Sequence, residues 1–531
     1  MLNVLFADTF LRHAESQPFK TIDGQKPLGM MHVVTEKTDP IDGSFLLLKD
    51  RLVVLGNNQI EGEHYDAKKA PVVTQETVRL MDIEATIHDW DIHKYDVKGA
   101  FCQAEKLTTL IVRPAPGFTG QTRGELWRLL KELYGTVEAA LMWYRCFGGF
   151  VETLDLVTNA ADPCLFQAFR TVDNAQLSIY VYIHVDDFLV TGSDTAKIQW
   201  FQTKVCDRFP VKILDYTSHL GIRKHRIRNA DPTKREMLLD LKPYLEAAAK
   251  AFGVDSMNDV PTPMDTGFIV SKEDPSDTEE GSPNAPYREI VGKIAYATAV
   301  LPGAEFAVNV VCRYGSNWKH KHWMLAKRCL RWMYQNRARP LRLCNHEPEH
   351  ALGRLVVFID SDHGGDKDRS RSTTCYRVLW RKNLLHNKVR IHKMTTLTTC
   401  ESEWVAVAEA AKKLIWILEL LRSARIEMRE IPIFYCDNSA VCLAVKNYFM
   451  SDSNRHIRMR YWFIRDLEVS QMIRIRKIAT GQNVADIGTK ALDKDTFNRH
   501  NDVQMGYGPW PKNENQEEDV ISAHPNGLTE R

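Results

Sequence analysis

The chain has 531 residues, enough for about three or four domains, and is 44% hydrophobic and 26% charged, an ordinary globular composition that excludes a peptide or a wholly disordered chain. Lys and Arg number 70 against 68 Asp and Glu, so any polyanion binding has to come from how charge is distributed. Eleven cysteines stand singly with no CxxC pair, which argues against a structural zinc cluster or a disulfide framework and fits a reducing compartment.

At the start of the chain no basic segment precedes an apolar one, and no apolar run reaches the ~18 residues of a membrane span. The expectation is a cytoplasmic protein with no membrane partner. In the first half, IYVYIHV (179–185) is followed by Asp186, Asp187 and FLVTG, two strands meeting at a carboxylate pair, which predicts a hairpin. Residues 271–286 (SKEDPSDTEEGSPNAP) read as an acidic, solvated linker. Beyond it the chain leans helical, and AKRCLRWMYQ has apolar positions at helical spacing. Residues 313–342 hold nine Lys or Arg, two His and no acid, with Trp318, Trp323 and Trp332 interleaved. A surface tracking a phosphate backbone and a solvated basic face over core tryptophans are equal readings of that segment.

From 355 to 490 the pattern changes. LVVFID, YRVLW, IPIFYCD and MIRIRKI predict strands, ESEWVAVAEAAKKLIWILELL predicts a long helix, and a short helix is expected to begin near VADIGTK. The segment from 508 reads as a polar tail.

Two sets of carboxylates lie where elements end. Asp96 follows HKYDV and joins Asp186 and Asp187; three such groups repel unless cations neutralise them, so the set invites divalent metal. Asp360, Glu403, Asp437 and Asp486 fall on four successive elements and could bind two metals that activate water against a phosphodiester. The structural alternative makes Asp437 and Asp486 helix N-caps and Glu403 surface charge. Asp362, Asp366, Asp368 and Glu401 are also available, and periodicity does not choose among them.

An ordered series of segments extends from about residue 45 to 500: KDRLVVLG, DVKGAF, RPAPGF, LYGTVEAALMWY, ADPCLF, HVDDFLVTGSD, HLGI, VPTPMD, YREIVGKIAY, FAVNVVCRY, HWMLAKRCLRWM, DSDHGGDKDRSRSTTCY, TTCESEWVAVAEAAKKLIWI, YCDNSAVCLA, RHIRMRYWFIRD and VADIGTKAL. In order and spacing they resemble the reverse transcriptase and RNase H region of a copia-type retrotransposon polyprotein. The resemblance implies an α+β chain: a right-hand polymerase (fingers, palm, thumb) with a connection and a C-terminal RNase H-like α/β domain. The implied divisions are an N-terminal segment with partial fingers (1–90), palm and fingers (91–235), a thumb-like helical segment (236–270), the linker (271–286), a basic helical connection (287–350), the RNase H-like domain (351–500) and the tail (501–531).

By the same resemblance, Asp96, Asp186 and Asp187 are polymerase metal ligands, and Asp360, Glu403, Asp437 and Asp486 are RNase H metal ligands. The ion implied is Mg²⁺, with Mn²⁺ as the alternative. Phe101 matches the aromatic gate that excludes a 2′-hydroxyl, Arg51 the fingers residue that reaches the triphosphate, Gly135 a template-positioning segment, and Leu220, Gly221 and Ile222 the primer-gripping hairpin. His456 also fits the pattern. The implied activity is RNA-directed DNA synthesis with hydrolysis of the RNA strand of the hybrid. Its partners are RNA and DNA template and primer, RNA–DNA hybrid and deoxynucleoside triphosphates.

Several positions depart from the family pattern. His184 stands for a tyrosine, Ala140 for a proline, Leu141 and Leu55 for basic residues, Leu301–Pro302–Gly303 for Arg-Pro-Asp, His363 and Gly364 for Trp and Ala, and Cys375 for a glycine. With no nucleocapsid, protease or integrase region, the expectation is a partial copy, and the rival function is a catalytically impaired relic that only binds nucleic acid.

Overall fold

The computed structural model describes residues 10–13, 26–38, 45–66, 69–117, 126–268, 271–272, 285–345, 353–446 and 458–511. Most of the expected linker, the end of the expected tail and His456 lie outside the described residues. The chain forms two compact units, Met1–Met237 with Trp416–Glu427, and Leu238–Ile415 with Met428–Arg531.

The first unit contains β1 (Phe10–His13), β2 (Leu28–Thr38), β3 (Phe45–Val54), α1 (Gln75–His88), β4 (Ile92–Val97), β5 (Ile111–Arg113), β6 (Leu126–Leu129), α2 (Ala139–Glu152), β7 (Val157–Thr158), β8 (Leu165–Val172), β9 (Ala175–His184), β10 (Asp187–Thr191), α3 (Thr195–Arg208), β11 (Val211–Leu214), β12 (Ser218–His219) and β13 (Ile222–Ile227). A six-stranded sheet in the order β11-β4-β10-β9-β8-β7 is its centre, and β1-β6-β5-β2-β3 form a second sheet. The apolar run of 179–183 is buried because the sheet is covered. Phe147 of α2 and Phe201 of α3 pack against Phe188 at ring distances of 5.1 and 6.4 Å. Helix starts follow local capping: the Thr74 hydroxyl accepts from the Thr77 amide at 3.2 Å before α1, and Asp194 from the Lys197 amide at 2.9 Å before α3.

β14 (Glu236–Asp240) leads into the second unit, which contains α4 (Lys242–Ala251), α5 (Tyr287–Ala297), α6 (Glu305–Cys312), α7 (His320–Gln335), β15 (Leu341–Cys344), β16 (Leu355–Ser361), β17 (Thr373–Trp380), β18 (Asn383–Ile391), α8 (Thr399–Ser423, whose last turns belong to the first unit), β19 (Ile433–Cys436), α9 (Ser439–Lys446), α10 (Arg458–Val469), β20 (Arg474–Lys477) and α11 (Lys494–Gln504). Its five-stranded sheet runs β18-β17-β16-β19-β20, antiparallel up to β16 and parallel beyond. Every residue of β17 is buried. The buried Arg377 of that strand is paired with Glu305 of α6, which also accepts from Asn387 at 2.9 Å and the Val389 amide at 2.8 Å. A buried guanidinium needs such a partner, and this one joins helix to sheet.

Two expectations change here. VADIGTK forms a 3₁₀ turn over Val484–Gly488, wedged so tightly against β17 that a Cβ on Gly488 would overlap the Cys375 thiol. Three of the nine cations of the acid-free segment 313–342 find acids elsewhere in their own unit: Arg328 pairs with Asp265, Arg337 with Glu246 at 3.1 Å, and Arg339 with Asp502 at 2.7 Å. Its tryptophans face inward, with Trp332 buried edge-on to Phe497, Trp318 stacked on Tyr287 and Trp323 edge-on to Phe252. Packing explains these aromatics.

Candidate active sites

In the first unit, Asp96 and Asp187 are direct partners in the register of β4 and β10, and Asp187 is in turn opposite His184 across a two-residue turn. Val185 occupies that turn with φ +57°, a left-handed conformation that a β-branched residue adopts only under constraint. The constraint is visible: the indole of Trp143 on α2 donates to the Val185 carbonyl at 2.5 Å, and the Val97 amide donates to the Asp186 carbonyl at 3.0 Å. Burial raises the Asp187 carboxyl, Asp186 and Asp96 raise it further, and Lys94 opposes them.

Phe101 follows β4 on a 3₁₀ turn, Ala100–Gln103, and meets Tyr134 edge-on at 5.0 Å. The Arg51 guanidinium of β3 lies 5.9 Å from the same ring and donates to the Thr35 hydroxyl at 3.3 Å. Tyr134 thus joins Arg51 to Phe101; burial, followed by charges including Asp186 and Asp96, pushes its hydroxyl up. Gly135, next in sequence, has φ +88° and leaves no room for a Cβ, which would overlap the Val54 carbonyl oxygen. The adjacent Val54 amide donates to the Tyr134 carbonyl at 2.8 Å.

Leu220 and Gly221 form the two-residue turn between β12 and β13, both with positive φ (49° and 74°), the backbone that a tight hairpin requires. Leu220 is exposed and Ile222 buried. His219 beside the turn meets the ring of His184 at 6.1 Å, and burial lowers its pKa to about 3, so the imidazole is neutral. Leu141, where the family has a basic residue, is buried in the first turn of α2.

In the second unit, Ile359 and Cys436 are register partners in parallel strands, so Asp360 and Asp437 leave the same edge of the sheet side by side. Glu403 of α8 completes a set whose oxygens all lie within 4.8 Å of one another. Among the described residues no other such group of three is found, and the acids of the first unit do not converge this closely. Asp486 approaches from the 3₁₀ turn. One of its oxygens is 2.9 Å from Lys490 Nζ, while Oδ1 is buried and receives no hydrogen bond. Thr489 donates to Asp360.

Burial above all, then Asp486 and Asp437, pushes Asp360 up to about 7. Burial together with Asp360 and Asp437 raises Glu403 well above the carboxylate range. Clustered hard oxygens, mutual repulsion and an orphaned carboxylate oxygen fit a divalent cation. The capping alternative falls to the neighbours of these acids. Asn438 accepts from the Ala440 amide at 3.0 Å and Asn483 from the Ala485 amide at 3.2 Å, so Asp437 and Asp486 are not spent on caps.

The undecided acids are engaged elsewhere. Glu401 accepts from the Leu397 amide at 2.6 Å, Asp368 from the Lys272 amide at 3.0 Å, and Asp362 from the Thr373 amide. Asp366 lies in a bridge to Arg371.

A carboxyl whose folded pKa exceeds its unfolded value binds more protons when folded, so its contribution to stability falls as pH rises from about 4 to about 7. In metal-free protein, Asp360→Asn is expected to raise the melting temperature over wild type by about 2–5 °C at pH 7.5 and to change it little at pH 4.5. Added Mg²⁺ should narrow the gap at pH 7.5 by stabilising the wild type. A calorimetric difference that is the same at both pH values would refute the buried, repelling acid.

Residues 19–266 match the reverse transcriptase (RNA-dependent DNA polymerase) family model. Similar proteins include retrotransposon polyproteins. The chain is 28% identical over 480 residues to a retrovirus-related Pol polyprotein from transposon TNT 1-94 of Nicotiana tabacum, covering 89% of this chain and 35% of that one. It is likewise 28% identical to one from transposon RE2 of Arabidopsis thaliana, covering 88% and 31%. The chain therefore spans about a third of the length of these curated relatives. A solved foamy viral protease-reverse transcriptase in complex with double-stranded DNA aligns at 10% identity, with a TM-score of 0.47 over 90% of this chain and 68% of that one. No described helix is long and apolar enough to cross a membrane.

Lys94 and Tyr134 escaped the sequence reading. Tyr134 was signalled only by its place before Gly135, and Lys94 by its alternation with Asp96 on β4.

Proposed function

We propose that the chain is an RNA-directed DNA polymerase of the copia type that also hydrolyses the RNA strand of the hybrid it makes. What carries this reading is the presence of two acid constellations, each at the ends of sheet strands and each in its own unit, with the first inside the matched reverse transcriptase segment. Asp96, Asp186 and Asp187 would hold Mg²⁺, or Mn²⁺, in one unit, and Asp360, Glu403, Asp437 and Asp486 in the other. Bound there, such ions lower the pKa of a 3′-hydroxyl or a water and stabilise the leaving oxygen.

The rest falls to the side chains. Arg51 offers a planar fork to a deoxynucleoside triphosphate. Phe101, braced by Tyr134, presents a ring where a 2′-hydroxyl would stand, which favours deoxynucleotides. Gly135 lets β3 approach the template-positioning segment, and the hairpin of Leu220, Gly221 and Ile222 presents its exposed tip to the primer. Lys490 neutralises Asp486 at the second site. Recognition of RNA and DNA template and primer would be by backbone and shape, since a polymerase accepts any sequence.

Primer extension on a homopolymer template tests this directly. With Mg²⁺ or Mn²⁺ present, wild type is expected to exceed Asp186→Asn by about 10²-fold or more. Wild-type incorporation no greater than that of the variant would overturn the polymerase reading and leave a nucleic-acid-binding relic.

A further inference from the structure

Lys94 is a buried cation placed between two parts of the first site. Alternation along β4 puts it on the same sheet face as Asp96, and Asp187 is its diagonal neighbour on β10, within reach of a long side chain. Its side chain is 11% exposed. Its ammonium donates to the Ser218 carbonyl of the β12–β13 hairpin at 3.0 Å and lies 3.5 Å from Asp187 Oδ2. An ammonium taken out of water needs such partners, and here one is the hairpin backbone and the other a candidate metal ligand.

We propose that Lys94 is a positioning residue that ties the 218–222 hairpin to the acid site and sets how strongly that site attracts a cation. The inference rests on the reading of Asp187 and the hairpin as polymerase parts. One side chain then does two separable things: its hydrogen bond holds the hairpin close to β10, and its charge offsets Asp187, so that a divalent ion meets a less negative site. The neighbouring His219, neutral in its buried position, supplies no compensating charge of its own.

Lys94→Gln retains a donor for Ser218 and removes the charge, whereas Lys94→Met removes both. Mn²⁺ binding can be followed by electron paramagnetic resonance in an Asp437→Asn background, which weakens the other acid cluster. Affinity is expected to rise about 3–30-fold in both variants, because an uncompensated carboxylate attracts the ion more strongly. Affinity for a fluorescent primer–template in EDTA should stay within about two-fold for Lys94→Gln and fall about 5–20-fold for Lys94→Met, since only the latter frees the hairpin.

If both variants melt earlier but keep wild-type Mn²⁺ and primer–template affinities, Lys94 is merely structural and the proposal fails. If the affinities shift as stated while wild type extends no primer, the polymerase reading fails and the placement of Lys94 stands.

Discussion

Replacing Asp437 by Asn is expected to reduce hydrolysis of the RNA strand of an RNA–DNA hybrid by about 10³-fold and to leave primer extension within about two-fold of wild type. Asp437 contributes an oxygen within 4.8 Å of those of Asp360 and Glu403, and Asn has its shape without its charge. The change removes one of the three converging carboxylates on which cation binding depends, and also relieves repulsion between groups that burial already disfavours as anions. The melting temperature of the metal-free variant should therefore hold or rise. Release of labelled RNA from a hybrid reads the outcome, with Glu401→Gln as a control: that acid lies two residues from Glu403 but is bonded to the Leu397 amide, so it should cost stability and spare cleavage. Undiminished cleavage by Asp437→Asn would dismiss the cluster as the hydrolytic site.

Gly135→Ala is expected to be among the most damaging small substitutions in the first unit, costing about 3 kcal/mol or more. The backbone there has φ +88°, and a methyl group would collide with the Val54 carbonyl, which belongs to a strand end and cannot swing aside as a side chain could. Gly62→Ala separates the two causes. Its φ is +80° but nothing lies within 4 Å of the added carbon, so it should lose only about 1 kcal/mol. Denaturant unfolding of the two variants gives the comparison, and equal losses would show that the close approach of β3 matters little. Because Arg51 lies on β3 and Tyr134 precedes Gly135, the Ala variant should also lose primer extension beyond what its unfolded fraction explains.

The legible part of this molecule was local and ordered. The hairpin at Asp186 and Asp187, the strands LVVFID, YRVLW, IPIFYCD and MIRIRKI, and the long helix between them lie where period and turn residues predict, because each combines a consistent apolar pattern with a clear stop. The short helix at VADIGTK differs because tertiary wedging against Cys375 governs that turn, and spacing carries no trace of it. The basic run of 313–342 is incomplete as a sequence window in a second way. The acids that pair three of its cations are distant in sequence, at Glu246, Asp265 and Asp502, so a window along the chain sees only cations. Lys94 was hidden for the same reason, since Ser218 lies 124 positions away.

Asparagines 438 and 483 cap the turns on which Asp437 and Asp486 sit, and this has a hereditary consequence. On the proposed reading, folding instructions and catalytic instructions are written in adjacent but separate letters. A copy of this gene that exchanged either aspartate would still encode a well-folded chain, so chaperones and proteases would have no reason to remove it. Loss of the proposed catalysis at the second unit would therefore spread silently among copies, whereas loss of a capping asparagine would be exposed to protein quality control at once.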